Sequence, residues 1–287
     1  MNIFVTFSND VYAISREYAG KMAKKKGKFD KVVILSPKDI DRKFYTEHSK
    51  ILKTKYGAGL WLWKPYSVNK VLNEIANVGD YVFYADAASF FIRDCHYIID
   101  VMKDKEEDIF VCDNPTIEKQ FTKEQTFIGM GCTDDRFRNT NQRHGSFMCF
   151  KKTKRSVAFV EEWLKCCCNY NLIYMDNTDP SINNCEDFIA HREDQSILSL
   201  LSKKYNIKSH YDPSQYGLLP DWYAVPNAIY MPPHYPKEYP VCLILHKTKD
   251  VNKKVILNII CYLLMPKFLR SIISYIKLRK LKVRRTL

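Results

Sequence analysis

Short apolar runs rich in β-branched and aromatic residues recur along the first half of the chain: Asn2–Phe7 (NIFVTF), Lys31–Leu35 (KVVIL), Tyr81–Tyr84 (YVFY) and Asp108–Cys112 (DIFVC). Such runs predict buried strands. Between them lie stretches with helical spacing. Val11–Lys26 and residues 38–56 read as helices, as do Cys95–Lys103 and a segment opening at Pro65 that carries Val68, Val71, Leu72 and Ile75. Strands alternating with helices predict an α/β domain around a mostly parallel sheet, with functional residues gathered at the strand C-termini.

The second half is less regular. Ser146–Phe150 reads as a strand, Ser156–Tyr170 as a helix holding Trp163, and His191–Tyr205 as an amphipathic helix burying Ile197, Leu198, Leu200 and Leu201. Residues 171–188 read as a polar loop, and the Pro- and Tyr-rich stretch 211–239 excludes a regular element. Val241–Leu245 is a last strand, ending at His246.

Charge divides the chain unevenly. The 287 residues carry a net +13, and their 46% hydrophobic content excludes a disordered chain. From Lys249 onward eleven basic residues face one acid, Asp250, so these 39 residues carry +10 and the preceding 248 only +3. We therefore expect a body over residues 1–248 and a basic tail over 249–287. In the tail, Val255–Met265 is apolar apart from Asn258, Pro266 interrupts it, and Phe268, Leu269, Ile272, Ile273 and Ile276 follow at helical spacing with Lys and Arg around them. That pattern fits helices lying in an anionic membrane interface, or a C-terminal helix packed on the body with a solvated basic end. Nucleic acid is not expected as a partner, because the body has no reader motif and no extended basic face; a nucleic-acid-binding tail is the rival reading.

The ten cysteines include no CxxC pair, and Cys166, Cys167 and Cys168 point in different directions on a helix, which argues against zinc. They read as small hydrophobes in a reducing compartment. The start of the chain has no charged n-region or small-residue cleavage site, and no run reaches the length of a spanning helix. A cytoplasmic location, peripheral on the inner face of a membrane, is the expectation.

Four segments carry candidate chemistry. The run GDYVFYADAA delivers Asp86 to the end of a strand, where small Ala87 and Ala88 leave room for a ligand; Asp86 suits a divalent cation, magnesium or manganese, and equally suits a turn cap. In WLWKP, Trp63 suits either core or ligand contact, and Lys64 in an aromatic setting calls for an anion such as phosphate. HREDQS opens a helix with His191, Arg192, Glu193, Asp194 and Gln195: either the run is a helix cap and solvated face, or Asp194 and Gln195 meet a sugar as hydrogen-bond acceptors or face its reacting carbon. His246 and Lys247 end a strand, where a His ligates a metal or is simply structural.

Taken in order, WLWKP, GDYVFYADA and HREDQS resemble the GT-A glycosyltransferases, particularly the bacterial capsule and lipopolysaccharide group with its glycogenin and galactosyltransferase relatives, across most of residues 1–248. The resemblance implies a single Rossmann-like GT-A domain. It implies a nucleotide edge at Thr6, Phe7, Ser8 and Tyr12, and donor contacts from Lys64, Asp86, Ala87 and Lys247. Asp194 and Gln195, with Glu193 beside them, would face the reacting sugar, Trp63 and His191 the sugar or acceptor, and Asp86 with His246 a divalent cation. The sequence departs from the family at Ala88, which replaces the second Asp of the Asp-any-Asp motif, so Lys64 and Lys247 are expected to share the neutralisation of charge. The implied activity is transfer of a hexose from a nucleotide sugar, UDP by family default, to a lipid-linked or polysaccharide acceptor. An inverting reaction needs a base, for which Asp194 or Glu193 is the candidate; retention needs none, and the Asp-Gln pair favours it. A catalytically inactive GT-A scaffold is the remaining alternative.

Overall fold

The computed structural model describes residues 1–285. Strands β1 (Asn2–Phe7), β2 (Lys31–Leu35), β3 (Tyr81–Ala85), β4 (Ser89–Phe91), β5 (Ile109–Ile117), β6 (Asn141–Arg143) and β7 (Phe147–Lys151) build most of the sheet structure. The short β8 (Ser209–His210), β9 (Ile229–Tyr230), β10 (Leu243–Leu245) and β11 (Arg284–Arg285) complete it. The centre runs β2-β1-β3-β7-β5. β1 is parallel to both β2 and β3, whereas β7 is antiparallel to β3 and to β5. Four of the five central strands thus share one direction, as the alternation of strands and helices predicts.

Alternation along each strand sends side chains into two separate layers. Ile3, Val5, Val82, Tyr84, Val111, Met148 and Phe150 face one core, which is closed by helices Trp63–Glu74, Lys154–Cys167 and Glu193–Lys204. Phe4, Phe83, Phe110, Phe147 and Cys149 face the other, under helices Ala13–Lys25 and His96–Asp104. Both faces are covered, so these strands lack the polar alternation of a half-exposed sheet.

Several elements differ from expectation. Residues 38–56 form three short pieces, Pro37–Asp39, Arg42–Glu47 and Ser49–Leu52, because Asp41 caps a fresh start by accepting from the Lys43 and Phe44 amides. The expected helix Ser156–Tyr170 is Lys154–Cys167, set by the reciprocal capping of Thr153 and Ser156. The strand expected to end at Cys112 runs on to Ile117, and β4 and β6 have no counterpart in the sequence pattern.

The tail forms helices Lys253–Leu264 and Lys267–Lys280, bent by 116° at Met265–Pro266. Ile259 and Leu278 are buried, Trp222 meets Tyr262 edge-on at 5.2 Å, and Lys277 Nζ donates to the Asp221 carbonyl at 2.8 Å. The tail therefore packs against the body. Leu257, Leu264, Phe268, Ile272 and Ile276 stay exposed. No single helix among the described residues is long and apolar enough to cross a membrane. All ten cysteines are free thiols.

Candidate functional site

A cavity of about 740 Å³ opens at the C-terminal ends of β1 and β3. Phe7, Ser8, Tyr12, Trp63, Lys64, Asp86, Ala87, Glu193, Asp194, Gln195 and Lys247 line it, so segments spread over most of the chain meet in one place. β1 supplies Phe7 and the polar turn after it; β3 supplies Asp86, whose amide bonds to the Ser146 carbonyl at 2.8 Å. Phe7 and Trp63 stack with centroids 4.5 Å apart, forming an aromatic wall.

Lys64 is the centre of the arrangement. It is buried in the first turn of its helix, with Nζ 3.3 Å from Asp86 and 3.2 Å from Asp194, and it donates to the Gly145 carbonyl at 2.7 Å. Burial works against its charge, but Asp194 and Asp86 more than offset that and hold it above the ordinary lysine value. Asp86 also accepts from the Tyr84 hydroxyl at 2.8 Å.

The carboxylates answer differently. Burial raises Asp194 to about 6, with the nearby Lys64 pulling the other way. Glu193, next along the chain, is raised to about 8 by burial and by the Asp194 charge, so at neutral pH it carries a proton. Its backbone has a φ of 40°. Lys247 has a φ of 55°. Residues held in this left-handed region cost on the order of 1–3 kcal/mol each and cluster at functional sites.

Gln195 is fixed by a polar relay. Its Nε2 donates to Gln142 Oε1 at 2.7 Å and its Oε1 accepts from the Gly145 amide at 3.0 Å. Gln142 in turn donates to Glu118 at 3.0 Å, and Glu118 is paired with Lys203 at 2.6 Å. Such a network holds a side chain rigidly because each member is satisfied by the next.

Three expected residues stand apart from the cavity surface. His191 is corrected to a structural role: its Nε2 lies 2.9 Å from the Leu172 carbonyl and its Nδ1 accepts from the Lys123 amide at 3.3 Å, so both ring nitrogens are spent inside the protein. Burial and Lys123 push it down to about 3, and the ring is neutral. Thr6 is fully buried on β1, one residue before the rim. His246 is buried against Phe90, with Nδ1 2.7 Å from Thr248 Oγ1 and burial lowering it to about 4.

The residues present do not make a dedicated divalent site. Hard cations take six or more oxygen-rich positions. Asp86 already meets Lys64 and Tyr84, Ala88 offers no ligand, and His246 Nε2, though it lacks a hydrogen-bond partner, belongs to a ring outside the cavity lining. Among the described residues the one His/Cys/Asp/Glu trio with ligating atoms close together is Asp94, Cys95 and His96, none of which lines the cavity.

No family model matches the chain, and no curated protein matches it. Solved structures with a similar fold do exist. A galactosyltransferase, LgtC, in complex with donor and acceptor sugar analogues is similar over 94% of this chain and 99% of its own, at 14% identity and a TM-score of 0.47. Apo mouse xyloside xylosyltransferase 1 is similar over 86% of this chain and 98% of its own, at 8% identity and a TM-score of 0.47. Apo GlyE of Streptococcus pneumoniae TIGR4 is similar over 97% of this chain and 63% of its own, at 12% identity and a TM-score of 0.42. All three are glycosyltransferases.

Sequence reasoning missed much of the cavity wall. Tyr56, Gly57, Asn114, Thr116, Gln142, His144, Trp222 and Tyr223 all line it. Asn114 and Thr116 sit on the unexpected extension of β5, Gln142 on β6, and Trp222 and Tyr223 on a short helical turn, Pro220–Tyr223, within the Pro- and Tyr-rich stretch. Arg192, inside HREDQS, lines the cavity as well, although its place at a helix start gives no local sign of it.

Proposed function

We propose that this chain is a glycosyltransferase that moves a hexose from a nucleotide sugar, with UDP-hexose the default, to a lipid-linked or polysaccharide acceptor. The observation that carries the reading is the convergence of Lys64, Asp86, Asp194, Gln195 and Lys247 on one cavity at the strand C-termini.

The chemistry follows from the site. An acceptor hydroxyl oxygen forms a bond to the anomeric carbon as the bond from that carbon to the β-phosphate oxygen breaks, and the electron pair leaves with the nucleoside diphosphate. Positive charge develops on the sugar, and Asp194 in a low-dielectric setting is suited to stabilise it. Glu193 holds a proton at neutral pH and Asp194 is tied to Lys64, so neither is ready to act as base. The acceptor proton then passes to the departing phosphate oxygen, on the same face of the sugar, and the anomeric configuration is retained. Phe7, Trp63 and Tyr12 offer aromatic surface for the nucleotide and sugar.

The tail supports a membrane-borne acceptor. Exposed Leu257, Leu264, Phe268, Ile272 and Ile276 stand among Lys253, Lys254, Lys267, Arg270 and Lys280, a surface suited to the interface of an anionic bilayer. The localisation proposed with it is cytoplasmic, peripheral on the inner face of the membrane.

A thermal-shift screen of nucleoside diphosphates and nucleotide sugars tests the central reading. Stabilisation by at least one nucleotide sugar and its matching diphosphate is expected. A flat response to the whole panel overturns it.

A further inference from the structure

Three cations that line the cavity, Lys55, Arg192 and Lys247, form no ion pair among the described residues, and the last two sit on aromatic rings. The Lys247 ammonium is seated on aromatic faces instead, 4.3 Å from the Tyr216 ring and 5.3 Å from that of Tyr223. The Arg192 guanidinium lies 5.1 Å from the Phe121 ring. The two charges feel each other: burial first and the Arg192 charge second bring Lys247 down to about 8, against the opposing pull of Asp212 and Asp86. Like charges turned toward one space are costly unless an anion neutralises both.

The position of Lys247 is fixed relative to the acidic motif. The amides of His246 and Lys247 donate to the Ala88 carbonyl at 2.9 and 3.2 Å, so Lys247 stands beside Asp86-Ala87-Ala88. On the motif side, the space between Asp86 and Asp194 already holds the Lys64 ammonium. A divalent ion placed there meets a fixed positive charge and two carboxylates that this charge already engages. The electrostatics favour an anion over a second cation.

We propose that Lys247 and Arg192 hold the donor's diphosphate directly, so that this chain binds its nucleotide sugar and releases the nucleoside diphosphate without a divalent cation. The proposal rests on the glycosyl-transfer reading and specifies how the leaving group is neutralised. Arg192 offers a planar fork of donors to the phosphate oxygens, and Lys247 a point charge.

Calorimetric titration of the full chain with UDP and with other nucleoside diphosphates, in EDTA and in manganese, tests it. The affinity in EDTA is expected to equal that in manganese within about twofold, and Lys247→Met or Arg192→Gln to weaken binding about tenfold or more in both buffers. Ala88→Asp adds a carboxylate beside Asp86 and is expected to make binding tighter in manganese than in EDTA. Melting curves of each variant confirm that it is folded before its affinity is read. Wild-type binding seen in manganese alone, or undiminished binding by both cation variants, overturns this inference and leaves glycosyl transfer standing. Absence of binding by every nucleoside diphosphate in both buffers overturns the glycosyl-transfer reading, and this inference with it.

Discussion

Lys64 and Asp194 form an ion pair 3.2 Å long in which each side chain is only 4% exposed. Removing one member of a buried pair is far more damaging than the pair's net contribution, because it strands the other charge. Lys64→Met is therefore expected to destabilise the protein by about 3–5 kcal/mol, read as a lower urea midpoint at pH 7. The loss should shrink at pH 5, where Asp194, already raised to about 6, takes up a proton and no longer needs the ammonium. An equal loss at both pH values contradicts the pairing.

Glu193 gives the protein a pH signature. Its carboxyl is raised to about 8 in the folded state, above its unfolded value near 4.5, so between those limits the folded chain binds more protons than the unfolded one. Its contribution to stability is complete below the unfolded value and is lost as pH rises through the folded one. Glu193→Gln should accordingly flatten the fall in melting temperature between pH 5 and about 8.5. Parallel curves for wild type and variant argue against a buried, protonated Glu193.

His191 separates structure from ligand binding. Its ring joins the Leu172 carbonyl to the Lys123 amide, and His191→Leu leaves both buried groups unpaired, at a cost of about 1–3 kcal/mol for each. The melting temperature should drop while the affinity for the nucleotide is unchanged in the protein that remains folded. A selective loss of affinity would return His191 to the sugar site.

On the tail, Phe268 and Ile272 are 64% and 52% exposed and share one face of the second helix. The double variant Phe268→Ser, Ile272→Ser should reduce co-sedimentation with vesicles containing anionic lipid without altering the nucleotide thermal shift. Unchanged sedimentation removes these residues from any membrane contact.

The strands and the cavity were legible in the sequence to different degrees. β1 and β3 show as apolar runs because both their faces are buried, β2 because its residues are part-buried against the same two layers, and Asp86 follows directly from where β3 stops. β6 does not show, because Asn-Gln-Arg is held by Glu118, Ser199 and Asp113 rather than by apolar burial. Gln142 and His144, which lie in or beside it, were hidden for the same reason. Lys64 was picked out by its aromatic neighbours, but the two carboxylates that meet it are 22 and 130 positions away and no local pattern announces them. The adjacent His191 and Arg192 show the opposite limit. They read as one polar cluster, yet the turn of the backbone sends Arg192 into the cavity and His191 into the protein.

Of the ten cysteines, Cys261 alone is exposed, and it sits on the first tail helix between the exposed Ile260 and Leu264. The other thiols are buried or half-buried, and burial pushes Cys95, Cys112, Cys149 and Cys167 upward, which suppresses their reactivity. The native chain thus comes with one fully exposed attachment point for a maleimide dye. A polarity-sensitive fluorophore there would report what the tail touches, with no cysteine added or removed.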